Sequence, residues 1–514
     1  MARATPTSLL HLHLLDLPGE EQGAFEQRVV KPVRLLSQDP RFAPAEISWL
    51  APDAPHRALA ADILVIHALA GIEMEALIRR RRVVGRVTLF EIGDDLSSPR
   101  PWKRRGPSAP RLLDVSRQLL HASIADGVQF SSPALSHRYA ELNPRNAVVD
   151  NIVEFSPQPP PKPPGFVFGW AGSRSHKDDL AAIATCVTAF CQRHPDVVFA
   201  LMGDLELYEM FAAVPAAQFM TQPFGPYADY RRFLASLHVG VVPLCDTAFN
   251  AGRSDVKIVE MAAEGAAVLA QDAPAFHACR HEVQRFDTTG SLNVLLERLH
   301  ADRGMLDAVA RAGRASLAWR RSEAAILSQH AAWYGSWPVT ASGRLPPARP
   351  DATALSVRLD EAWKLARSGD SRAALRAGRA LLEIDDGYVQ ARWLVTSLLI
   401  QLGSDREALE CGASLADCPI FGDFWRALGP DTSLRAGIVI PELRLKPAGT
   451  PPETLATYHR QLLAAHPFHL FALAAEHRHL EKAGDFEQAA ILRRRLSLID
   501  PLRWAPTDQA VGAS

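Results

Sequence analysis

Apolar and polar positions along the first third of the chain predict strands separated by helices. Short apolar runs at 9–17, 46–50, 61–67, 86–92, 127–131 and 148–153 read as strands. Between them, apolar residues recur at helical spacing over 20–37, 71–82, 111–123 and from Pro133 onward. The stretch 99–110, rich in Pro and Arg, breaks the pattern and reads as a mobile loop. Strands alternating with helices predict a parallel sheet covered on both faces.

A proline run at 157–164 can be neither helix nor central strand, and reads as a stiff linker between one domain at 1–156 and a second at 165–337. The alternation then resumes, with strands at 166–170, 197–202, 218–221, 239–242 and 267–270 and helices between them. From 304 to 337 the pattern is helical throughout, with Trp319, Trp333, Tyr334 and Trp337 as large anchors. Residues 338–352 form a second proline-rich linker, and beyond them the pattern turns all-helical. The run 369–375 (Gly-Asp-Ser-Arg-Ala-Ala-Leu) recurs at 403–409, an offset of 34 residues, and again at 484–490. This period resembles that of tetratricopeptide repeats, which are helix pairs stacked into a superhelix. An all-α repeat domain is therefore expected over 353–514, with an irregular insertion near 422–453.

Composition narrows the function only by exclusion. A chain of 514 residues is too long for one core. Its net charge of −1 offers no global attraction to nucleic acid or anionic lipid, so any anion site must be local. Six cysteines without a Cys-x-x-Cys pair fit a reducing, cytoplasmic compartment. No signal peptide is expected at the start, and no apolar run is long enough for a transmembrane segment. Peripheral contact with the inner membrane face stays open.

Two stretches carry candidate chemistry. After the strand 166–170, Gly172, Ser173 and Ser175 make a small-residue turn into a helix. Such a turn aims backbone N–H groups at whatever lies above the sheet. Arg174, His176 and Lys177 crowd that helix start, where cations are disfavoured, which suggests a diphosphate partner. A solvated basic turn has the same residues. In the second stretch, Ser254 is expected to cap a helix, with Lys257 in its first turn and Glu260 one turn on. A carboxylate there can accept two vicinal ribose hydroxyls while the cation meets phosphate. The same pair also reads as a surface i,i+3 contact. In the first domain, Asp94 and Asp95 follow a strand end, and His67 ends another. No third ligand is spaced for a metal beside the Asp pair. Gly-x-Gly-x-x-Gly is absent, which argues against a nicotinamide or flavin.

Together these residues resemble the glycosyltransferase B fold, and most closely glycosyltransferase family 4. The resemblance spans about 8–337 and rests on Glu260 followed by Gly265, on the Gly172 turn, and on Asp150-Asn151-Ile152-Val153. It implies an α/β fold of two Rossmann-like, doubly wound domains, with terminal helices crossing back to the first. It implies a hexosyl-type transfer from a nucleotide-diphosphate sugar, retaining and metal-independent, with no separate cofactor. Gly172, Ser173, Arg174, His176, Lys177, Ser254, Lys257 and Glu260 would hold the donor, and Asp94, Asp95 and His67 would serve the acceptor. The acceptor would be a glycan, a lipid-linked glycan or a protein, and the repeats would bind a protein partner. One departure stands out: Gly252 occupies the place of the family's first Glu, with Phe249, Asn250 and Asp255 nearby as substitutes. That departure favours a rival reading, a non-catalytic scaffold; a third reading, a nucleotide-sugar epimerase, keeps the fold but is disfavoured by the repeats and the missing catalytic signatures.

Overall fold

The computed structural model describes residues 5–14, 22–98, 112–342, 345–422 and 452–504. The loop at 99–110 and the insertion at 422–453 lie, but for their edges, outside the described residues.

Two six-stranded sheets, parallel throughout, form the two α/β domains. The first contains β1 (Thr7–His13), β2 (Phe42–Ser48), β3 (Ile63–His67), β4 (Val87–Ile92), β5 (Gly127–Phe130) and β6 (Asn146–Val148), in the order 2-1-3-4-5-6. The second contains β7 (Phe166–Ala171), β8 (Val197–Gly203), β9 (Phe219–Pro223), β10 (Val239–Val242), β11 (Ala267–Gln271) and β12 (Gln284–Phe286), in the order 12-11-10-7-8-9. Each order reverses once, at β1/β3 and at β7/β10. Ligands of such sheets bind beyond the carboxyl ends of the strands at that switch point.

The central strands form where the pattern predicts, because β3, β4 and β7 are buried along nearly their whole length. Elsewhere the edges shift. β2 begins earlier than expected, β6 stops at Val148, and β12 is an additional strand of three residues. The helix expected over 20–37 is interrupted by a π turn, Glu26–Val30, before Lys31–Leu36. Pro32 has no N–H to donate to a carbonyl four residues back, and a wide turn relieves the mismatch. This turn buries Gln27 and Arg28 rather than exposing them.

The helical stretch expected over 304–337 forms two helices, Arg303–Arg320 and Glu323–Gly335. They break where Ser322 accepts from the Ala325 N–H at 3.2 Å and where Arg321 is buried against Asp255 and Asp150. The second helix crosses to the first sheet, where Tyr334 and Trp337 pack on Leu9, Val65 and Leu89. Trp319 is no anchor: it is 81% exposed.

Neither proline-rich segment behaves as a free spacer. Lys162 donates to the carbonyls of Ala235 (3.0 Å) and Glu264 (2.8 Å), fastening 157–164 to the second domain. Ser342 donates to Asp62 at 2.7 Å, fastening the later segment to the first domain. Beyond it, helix hairpins turn at Gly369, Gly403 and Gly484, each at positive φ (92°, 79° and 79°), where a side chain would be strained. The helical region docks on the first domain. Gln390 donates to the carbonyls of Trp49 and Ala51 at 2.8 Å, Ser116 donates to the Phe468 carbonyl, and Phe421 stacks on Trp49.

Candidate functional site

At the switch point of the second sheet, β7 ends in the turn Gly172–Ser173. The Gly172 N–H donates to the Met202 carbonyl at 3.0 Å, and the Arg174 N–H to Asp204 at 2.6 Å. Lys257 reaches into the turn. Its ammonium donates to the Ala171 carbonyl at 2.9 Å and lies 4.9 Å from the Trp170 ring centroid. A Cβ on Gly172 would sit 2.5 Å from Lys257 Nζ and 2.5 Å from the buried Trp170 ring, so only glycine fits. Burial lowers the Lys257 pKa to about 8, helped by Arg253 and opposed by Glu260. Arg253, which sequence reasoning passed over, donates to Ser175 Oγ at 3.2 Å. Its only signal was a cation within four residues of Lys257. Arg174 is exposed at the rim, and Lys177 is half-buried, 3.4 Å from Glu206.

His176 differs from the expectation of a third cation. It is buried, its Nδ1 lies 2.8 Å from Asp179, and its ring meets Trp170 edge-on. Burial, with Arg253 and Lys257 adding, pushes its pKa down to about 3, so the imidazole is neutral. Asp179 also accepts from the Cys245 N–H (2.7 Å) and Asn250 Nδ2 (2.9 Å), tying the Gly172 turn to the loop beyond β10.

Glu260 lies one turn beyond Lys257 and is buried. Its Oε1 accepts from Gln27 at 2.6 Å and Tyr227 at 3.1 Å, and its Oε2 from Tyr230 at 2.7 Å. Lys31 donates to Tyr227 Oη at 2.7 Å and to the Ile152 carbonyl at 2.9 Å. Burial and the Glu260 charge both raise the Tyr230 pKa, so its hydroxyl stays a donor. Gln27, Lys31, Tyr227 and Tyr230 carry no motif that would have singled them out.

Three expectations for this stretch need correcting. Ser254 does not cap the helix. The cap position is Asp255, without a side-chain cap bond, and Ser254 Oγ instead accepts from Asn151 at 2.9 Å. Asp255 is engaged by Arg321 at 3.2 Å, because the crossing helices bring a buried cation to it. Asn250 is engaged by Asp179, so neither residue replaces the missing carboxylate. At Gly252 a Cβ would lie 2.9 Å from Leu135 of the first domain, and its carbonyl accepts from Ser132 at 2.8 Å. A side chain there would require the end of Leu135 to shift.

On the first domain, the switch point holds His67 at the end of β3. Its Nε2 lies 2.9 Å from His11 Nδ1, and the rings stack at 5.2 Å. Burial lowers both pKa values, His11 to about 3. Beside them Arg28 pairs with the buried Glu91 at 2.6 Å and donates to Asn151 at 3.1 Å. Asp94 is exposed at the carboxyl end of β4. Asp95 is buried, accepts from the Ser97 and Ser98 N–H groups (3.0 Å each), Ser98 Oγ (3.0 Å) and Tyr139 Oη (2.9 Å), and forms an ion pair with Arg138 at 3.1 Å. Those donors fill the carboxylate's acceptor sites. Asp95 thus shapes the loop, and Asp94 alone of the pair reaches solvent.

No protein-family model matches the chain, and no curated protein matches it. Among solved structures, the chain is similar to Anabaena Alr3699/HepE in complex with UDP-glucose, at 15% identity over 64% of this chain and 99% of that one, with a TM-score of 0.48. It is also similar to a sucrose-phosphate synthase from Thermosynechococcus elongatus, at 10% identity over 64% of this chain and 98% of that one, with a TM-score of 0.49. A glycosyltransferase from Rickettsia africae is similar at 13% identity over 64% of this chain and 98% of that one, with a TM-score of 0.46.

Proposed function

We propose that the chain is a glycosyltransferase of the B fold that moves a hexosyl group from a nucleotide-diphosphate sugar to an acceptor hydroxyl. The observation that carries this reading is the meeting of Lys257 with the glycine turn at the β7/β10 switch point. The half-buried Lys257 ammonium, Arg253, and the N–H groups of a helix start converge where a diphosphate would lie. Lys257 and Arg253 stabilise the leaving diphosphate as its charge develops, with Arg174 and Lys177 at the rim. Protein cations thus do the work of neutralisation, which is the basis for a metal-independent transfer. The retaining course follows the resemblance to family 4. Glu260 takes the ribose hydroxyls once Gln27 has left it. Asp94 and His67 serve the acceptor side, and the tetratricopeptide-like hairpins hold a protein partner or acceptor.

Isothermal titration with uridine and guanosine diphosphates tests the donor site. Binding of one of them, weakened by Glu260→Ala, is the expected result. Failure of both to bind would remove the reading. One observation favours a second reading, a transferase-like scaffold without activity: the place of the first glutamate is held by Gly252, where a Cβ would be tight against Leu135. Hydrolysis of a nucleotide sugar by the purified chain separates the two, since only the enzyme releases free sugar.

A further inference from the structure

Where β8 begins, at the opposite end of its strand from the phosphate turn, two imidazoles and two carboxylates meet. His194 follows the helix Lys177–Arg193 at its C-cap, Asp196 lies in the turn leading to Val197, and His300 belongs to the last turn of the helix Thr289–Ala301. The imidazole centroids of His194 and His300 are 4.5 Å apart. His300 Nε2 lies 2.8 Å from Asp196 Oδ2, and the ring is set edge-on against Phe166 at 5.3 Å and Phe190 at 6.0 Å. One ligating atom from each of His194, Asp196 and His300 falls within 4.8 Å of the others.

We propose that His194, Asp196 and His300 form a site for a divalent transition metal of the zinc type. Two imidazole nitrogens and one carboxylate oxygen are the ligand types such ions take, whereas magnesium and calcium prefer sets made of oxygen. A tetrahedral ion with arms of about 2.0–2.1 Å holds its ligand atoms roughly 3.3–3.4 Å apart, so small side-chain turns within the cluster complete the site. Asp196 already lies 2.8 Å from His300 Nε2, and its side chain, 64% exposed, can turn so that carboxylate and ring share an ion. Glu297 completes the arrangement from behind. It lies 2.7 Å from His194 Nε2 and is itself paired with Arg193 at 2.8 Å. A carboxylate behind an imidazole orients metal-binding histidines in the same way. Three protein ligands leave a fourth position for water. The site lies at the amino end of the sheet, so its role is to fasten the helix Thr289–Ala301 to the turn before β8, apart from any transfer chemistry.

The test uses the full chain, freed of metal by a chelator, with zinc chloride as the probe in equilibrium dialysis and in thermal melts. One tight zinc per chain and a raised Tm are expected, with no response to magnesium. Asp196→Asn, at an exposed position, should weaken zinc binding at least tenfold, and so should His300→Gln. Circular dichroism of each variant before metal is added checks the fold, and Asp196→Asn carries the test alone if His300→Gln does not fold. Unchanged zinc binding in the folded variants would assign the ion to other side chains and overturn the site. Absence of tight binding to the unaltered chain would overturn it as well. Zinc bound at these residues without a rise in Tm would overturn the fastening role.

Discussion

Lys257 is the residue on which the donor reading turns, because burial has already lowered its pKa to about 8. A bound diphosphate favours the charged amine, so binding takes up the proton wherever the free protein has lost it. Nucleoside diphosphate affinity should therefore hold steady below that pH and fall by up to about tenfold per unit above it. Titration calorimetry across this range measures the slope, and Lys257→Ala should abolish it. The same substitution should weaken binding by about ten- to a hundredfold, given roughly 1.5–3 kcal/mol for a hydrogen bond to a charged group. Gly172 is the complementary case. In Gly172→Ala the new methyl meets Lys257 Nζ and the Trp170 ring, and the fully buried ring has nowhere to go. A loss of about 1–3 kcal/mol is expected in urea unfolding, as for other overpacked sites.

At the scale of elements, buried histidines couple the framework to pH. His176 holds the Gly172 turn, His11 lies in β1, and His330 in the crossing helix lies 3.3 Å from the Asp150 carbonyl. Burial lowers His11 and His176 to about 3 and His330 to about 4, from 6.5. Below pH 6.5 the unfolded chain therefore binds protons that the folded chain refuses, and stability falls as pH drops from 6.5 toward 4. Each histidine contributes a slope of about 1.4 kcal/mol per pH unit in that window. His330→Gln should remove one such share, as read from urea midpoints at successive pH values. The elements themselves were legible to differing depths. β3, β4 and β7 announce themselves as unbroken apolar runs, since both faces are covered. The Gly172 turn and the Lys257–Glu260 helix were also legible, because each follows a strand in a recognisable order. The π turn was not, since apolar periodicity does not encode a one-residue change of hydrogen-bond register, and Gln27 was lost with it. Ser254 and Asp255 were misassigned for a tertiary reason: Asn151 and Arg321 arrive from segments more than 60 residues away. Asp95 likewise has the sequence context of a cleft residue and the environment of a structural one.

Across the whole molecule, the two α/β domains are joined by more than the crossing helix. Gln27 on Glu260, Lys31 on Tyr227, Ser132 on the Gly252 carbonyl and Asn151 on Ser254 all span the cleft. Most of these contacts lie away from the Gly172 turn, but the first sits on Glu260, the carboxylate proposed for the ribose. In the donor reading, nucleotide binding must then exchange a protein amide for two ribose hydroxyls, and the domains must separate far enough to admit them. Part of the binding free energy is spent on that exchange. Gln27→Ala removes the competitor without touching Lys257 or the turn, and Tyr227 and Tyr230 still donate to Glu260. A net hydrogen bond of about 0.5–1.5 kcal/mol predicts nucleoside diphosphate binding that is about two- to tenfold tighter in this variant. The faster arrival of ligand, rather than slower release, should account for the gain, and stopped-flow measurement of both rates distinguishes them. Equal or weaker affinity in Gln27→Ala would mean that the ribose lies elsewhere and that the Gln27–Glu260 contact simply holds the domains together.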